Sequence, residues 1–327
     1  MTILNAPAPS RPGTSTRPVP WRRLAWVSWR QYRFSAAGAA VFLGVVAAYL
    51  LIVGLRVRSG YASLGSCHLT ESHISQTCTT ALMLFGGYHV WGETTAAFML
   101  AVPVLVGVFA GAPVLGRELE AGTFRFAWTQ GAGRTRWALA RLAVPAVAVT
   151  AAAAALSQLF GWFYYPFFAF PADSAFAPQY FELTGIAFAA WTLAAFAIGG
   201  LAGVLVRKVV PAIAAAMAAW AGLLLVTILY LRPHYEAALT AHGSGGAPGK
   251  SPWVIHQWWV GPNGQAITSE NKIIQLINRP QRGYTQWTIY QPEARYWHFQ
   301  FIEAGWLLVL SLLLIAGTIW VVRRRAA

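Results

Sequence analysis

LTGIAFAAWTLAAFAIGGLAGVLVRKVVPAIAAAMAAWAGLLLVTILYL, residues 183–231, decides the fold. The stretch is apolar throughout except at Arg207-Lys208, which divides it into Leu183–Val206 and Val209–Leu231. At about 1.5 Å of rise per residue, a helix of either run covers roughly 34–36 Å, enough to cross a hydrocarbon core of about 30 Å. Lipid offers the backbone no hydrogen-bond partners, so each run has to satisfy its own N–H and C=O groups as a helix. Two spanning helices of opposite direction, joined by a two-residue basic turn, follow from this one stretch.

The same criterion, carried outward, selects residues 34–55, 97–115, 142–160 and 301–322, which makes six spans. None of the six contains Lys or Arg, and Glu303 is their one acid. The composition agrees: 57% of the 327 residues are hydrophobic and 10% charged, against about 25% charged in a soluble domain. The expected fold is an all-α polytopic membrane protein in which residues 21–327 form a single transmembrane domain.

The formal charge of +14 would point to nucleic acid in a soluble protein, but its placement argues otherwise. With the N-terminus inside, the cytoplasmic pieces are residues 1–33, 116–141, 207–208 and 323–327. They hold 16 basic residues and two acids, Glu118 and Glu120; the outer side holds eight of each. This is the positive-inside bias of a plasma (inner) membrane protein with both termini in the cytoplasm, and it needs no nucleic acid.

Residues 1–20 carry five prolines among Ser, Thr and Ala, a composition expected to stay disordered. In Trp21–Arg33, Leu24, Trp26, Val27 and Trp29 interleave with Arg22, Arg23, Arg30 and Arg33. That spacing suits a helix in the headgroup plane, or else simply the cytoplasmic end of the first span. The outer loop 56–96 contains Cys67 and Cys78, the chain's two cysteines, and an oxidising outer space favours bridging them. Residues 232–300 are the large extracellular segment, with five tryptophans. Trp and Tyr at that density favour the membrane–water interface, so short interfacial helices are expected, one of them over Lys272–Arg279 with Ile273, Ile274 and Ile277 on one side. Gly107 with Gly111, and Gly199 with Gly203, are small-xxx-small pairs that permit close helix contact in lipid. Pro103, Pro113 and Pro145 are expected to interrupt the second and third spans.

Ser244-Gly-Gly-Ala-Pro-Gly-Lys-Ser251 imitates a nucleotide-binding P-loop. Ser244 stands where the first glycine belongs, Pro252 follows where a helix should begin, and the loop faces away from cytoplasmic ATP, so it reads as a linker. No other catalytic motif is present, and no enzyme activity is expected of the chain itself.

The informative segment is cytoplasmic. Between the second and third spans, Gly122 can end the incoming helix and Thr123 can cap a new one. Phe124 and Trp128 share one face of about two turns, with acids before and arginines after. A short amphipathic docking helix is one reading; a connection lying against lipid is the other. The pattern R-E-x-E-x-G-T-x-R-x-A-W-T-Q-x-x-x-R-T-R-W, from Arg117 to Trp137, resembles actinobacterial ABC-transporter permeases of the type-2 exporter superfamily. Trp26–Arg33 resembles that family's opening motif, with Ser28 and Tyr32 as departures, and Tyr290–Gly305 resembles the segment leading into its last helix.

The resemblance implies an elbow helix before the first span and a coupling helix after the second. Arg117, Glu118, Glu120, Gly122, Thr123, Phe124, Trp128, Arg134 and Arg136 would then engage a separately encoded ABC ATPase. It also implies two copies of the permease, ATP and Mg bound on the partner rather than on this chain, and a path between the second and fifth helices. Glu303 belongs to the last motif, and an acid at that depth calls for an ionic partner. The function expected is ATP-driven export of an amphipathic substrate. The alternatives are a membrane scaffold or sensor subunit that couples an ATPase to signalling, and a secondary transporter, which would place acids at mid-membrane.

Overall fold

The computed structural model describes residues 21–65, 76–122, 134–169, 173–243, 247–249, 251–279 and 281–325, with residues 21–36 described by their backbone alone. Residues 1–20, Cys67, the segment 123–133 with Thr123, Phe124 and Trp128, and half of the P-loop imitation lie outside them. Among the described residues, six helices are long and apolar enough to cross a membrane.

The spans are longer than their apolar centres, because a helix continues into water once lipid no longer requires it. Helix α1 runs unbroken from Trp21 to Leu64. No Gly or Pro lies between Trp21 and Ala37, and the helix has no break between the expected elbow and the span. Helix α2 begins at Gln76. The expected outer loop of 56–96 is therefore reduced to the short interval between these two helices. Cys78, on the first turns of α2, is buried and disulfide-bonded.

Helix α2 extends to Val106 through Pro103, and α3 covers Ala112–Glu120. Between them Gly107–Gly111 is a π turn in which Ala112 N–H donates to Gly107 O. Pro113 lacks an N–H and crowds the preceding turn, and widening that turn accommodates it without ending the helix. The same device recurs further on, where the π turn Thr227–Leu231 precedes Arg232-Pro233. The turns before Pro113 and Pro233 are thus widened, whereas Pro103 lies within unbroken α-helix. Helix α4 likewise runs Arg134–Ala169 with Pro145 and Pro166 inside it. A one-turn helix α5, Pro178–Phe181, leads to α6, Ala187–Val206, and α7 covers Val209–Val226.

Helix α6 is the centre of the bundle, buried over most of its length, whereas α1 and α7 are largely exposed. It packs on α2, α3, α4, α7 and the last helix, α9 (Tyr296–Arg325). Its glycines make this possible. A Cβ on Gly199 would run into Gly107 O, and one on Gly203 into Ala112 O; a Cβ on Gly111 would come within 2.6 Å of Phe196 O. The two small-residue pairs therefore face each other, backbone against backbone, within one chain. At the cytoplasmic end Arg207 takes the left-handed conformation, φ 59°, and closes the reversal into α7.

The outer segment departs from expectation. Strands β1 (Leu239–Gly243), β2 (Trp253–Val260), β3 (Ala266–Ile267) and β4 (Thr285–Gln291) form an antiparallel sheet in the order β1-β4-β2-β3. Aromatic and β-branched residues in β2 and β4 suit a pleated, half-buried surface. This corrects the expectation of interfacial helices alone. Helix α8, Glu270–Asn278, is present, but Leu276 is its buried residue while Ile274 and Ile277 are exposed. Strand β4 passes through a single turn, Glu293–Arg295, into α9, Tyr296–Arg325.

Candidate functional site

Charged groups meet at both ends of the bundle. At the basic end, α3 closes with Ala121 N–H on Arg117 O and with Gly122 at φ +69°, the left-handed residue that commonly ends a helix. Glu118 forms an ion pair with the buried Arg141 of α4. Glu120 Oε2 accepts from Val209 N–H at 3.0 Å. That N–H is the first of α7, where the unpaired donors and the helix dipole favour an anion. Arg134 Nη1 donates to Arg323 O at 3.4 Å, while Arg117 and Arg136 are exposed. Both acids of this face are thus tied to spanning helices. Arg141 and Val209, which hold them, were not singled out by the sequence pattern.

At the outer end the geometry starts from the entry into α6. Gln300 of α9 accepts from Ile186 and Ala187 N–H at 3.0 and 2.9 Å and donates to Phe181 O at 3.0 Å. It thereby caps a helix that has no capping side chain of its own. Gly185, φ +68°, makes room, since a Cβ there would meet Gln300 Oε1 at 2.7 Å. This clamp fixes Glu182 beside α9, and the π turn at the end of α7 delivers Arg232 to the same place.

Arg232 is fully buried. Its Nε and Nη2 donate to both oxygens of Glu303, at 3.0 and 2.8 Å, and Nη2 also donates to Glu182 Oε1 at 2.6 Å. Trp191 Nε1 donates to Glu303 Oε1 at 2.8 Å, and the Tyr235 hydroxyl donates to Oε2 at 3.3 Å. Trp306 Nε1 holds that hydroxyl at 2.8 Å, and the guanidinium lies 4.4 Å from the Phe181 ring centre. The partner of Glu303 is therefore Arg232, shared with Glu182. Beside this cluster an open groove of about 620 Å³ has Ile228, Leu229 and Pro233 on one side and Asp173, Gln179 and Trp253 on others. Ionic group and amphipathic groove meet across the π turn.

Six helices long and apolar enough to cross a membrane, packed around a central small-residue helix, define a polytopic membrane protein. The family model for ABC-2 membrane transporter related proteins matches residues 40–232. That is more than half of the chain, and the protein belongs to this family: it is an ABC-type membrane transport permease. No curated protein and no solved structure matches it.

Proposed function

We propose that the chain is the transmembrane subunit of an ATP-driven exporter that moves an amphipathic substrate outward. It sits in the plasma membrane with both termini in the cytoplasm. An ABC ATPase, carrying ATP and Mg, docks against residues 117–137, and two permeases assemble with two ATPases. One observation carries this reading: the start of that segment is fastened to three spanning helices. Glu118 holds α4, Glu120 holds the N-terminus of α7, and Gly116 lies against Gly203 of α6. A displacement there passes directly into the bundle. The groove beside the ionic cluster, lined by apolar Ile228, Leu229 and Ile255 together with polar Asp173, Ser174 and Gln179, supports an amphipathic passenger.

The test is reconstitution of the permease with its co-purifying ATPase in lipid vesicles. ATP-dependent movement of a fluorescent amphiphile is expected. Hydrolysis without movement would favour the scaffold or sensor reading. Phe124→Ala or Trp128→Ala should weaken ATPase binding by about 1–3 kcal/mol, the cost typical of an aromatic anchor, while leaving the helices folded. Full binding and full transport in both variants would remove the coupling assignment.

A further inference from the structure

We infer that the buried outer cluster is a proton-binding site, with the proton resident on Glu182 in the packed arrangement seen here. The argument begins with charge. Glu182, Arg232 and Glu303 are at most 4% exposed, and two carboxylates share one guanidinium. With all three ionised, one negative charge would be buried without compensation, an arrangement that a protein relieves by neutralising the group.

Geometry says which group. Both Glu303 oxygens are occupied: Oε1 accepts from Arg232 and Trp191, and Oε2 from Arg232 and Tyr235. That donor set suits an ionised carboxylate. Glu182 Oε1 meets only Arg232 among side chains, and its Oε2 is buried with no partner. A bare carboxylate oxygen in a dry site is the place for a proton. Arg232 Nη1 is also buried and unpartnered, so a metal cation beside Glu182 would face a guanidinium.

The other groups facing the cluster leave this assignment intact. From α6 comes Trp191, from the end of α7 Arg232 and Tyr235, and from α9 Glu303 and Tyr296; Tyr180, two residues before Glu182, is turned to Tyr164. Tyr296 is turned to Thr184, and burial pushes the Tyr180 hydroxyl up to about 12, so neither supplies the proton that moves near neutrality. Burial raises the Glu182 carboxyl above the usual range, with Arg232 opposing.

The sign of the pH dependence follows. A carboxyl that holds its proton more tightly folded than unfolded stabilises the fold fully below the unfolded value. That contribution is lost as pH rises through the folded value. Above about pH 4.3, the ordinary glutamate value, the unfolding equilibrium should therefore shift about tenfold per pH unit toward unfolding until Glu182 itself ionises.

Two measurements on the full-length protein in lipid nanodiscs test this. Infrared spectra at neutral pH should contain a protonated-carboxyl band that disappears in E182Q. Thermal stability should fall with rising pH in the wild type and lose one proton's worth of that slope in E182Q, with sodium chloride having no such effect at fixed pH. A wild-type spectrum without the band overturns the inference whether or not the variant folds. So does a band unchanged in E182Q, or a stability that follows sodium rather than pH.

Discussion

Removing the Arg232 side chain would leave Glu182 and Glu303 buried together with no counter-charge. Breaking a buried ion pair in this way costs about 3–5 kcal/mol, whereas replacing the whole group by uncharged residues of similar volume can be nearly neutral. Arg232→Met is therefore expected to reduce folded, detergent-stable protein sharply, and the triple variant R232M/E182Q/E303Q should recover most of it. Thermal denaturation of the purified proteins measures both; a single variant as stable as the wild type would mean that the pair is not structural. At this scale the sequence showed one member of the cluster. Glu303 stands inside an apolar run and so demands a partner. Glu182 and Arg232 each stand one residue beyond a run, where a charge is unremarkable. Their common depth emerges only when the fourth, fifth and sixth spans are laid antiparallel, and their contact only when the Gln300 clamp and the π turn are in place.

At the level of elements, the glycines of α6 are not interchangeable with those elsewhere. Gly199 and Gly203 lie against the backbone of the π turn and α3, whereas a Cβ on Gly222 of α7 meets nothing within 4 Å. Gly199→Ala or Gly203→Ala should push the helices apart and lower the melting temperature. Gly222→Ala should be neutral or slightly stabilising, since alanine is the better helix former. Equal behaviour of the three variants would contradict the packing. The spacing of these glycines was readable in advance, because close approach in lipid requires small residues four apart; which pair faces which was not. The outer sheet was missed for a specific reason. The density of Trp253, Trp258, Trp259 and Trp287 suggests a preference for the membrane surface, but the same residues are good strand formers. Only pairing partners distant in sequence, such as Trp258 with Trp287, distinguish the two. Helix ends were misjudged because hydropathy marks where lipid stops, and α1 and α2 continue beyond that point.

For the whole molecule, the orientation rests on 16 basic residues against two acids on one side. Single cysteines at Ser15, Thr135 and Ala326, in a Cys67/Cys78-free background, should resist a membrane-impermeant thiol reagent in intact cells. One at Ser244 should react. Labelling of Thr135 from outside would invert or break the six-span arrangement.

The passage from β4 to α9 has a practical consequence. A single turn, Glu293–Arg295, separates the sheet from the last spanning helix, and Arg295 fastens that turn with a donation to Ala237 O at 2.8 Å and an ion pair to Glu236 at 2.8 Å. With so little slack, the sheet serves as a handle on α9, and in the proposed orientation that handle is reachable from outside the cell. An antibody fragment that grips two strands at once would act as a brake on the transmembrane machinery without entering the membrane.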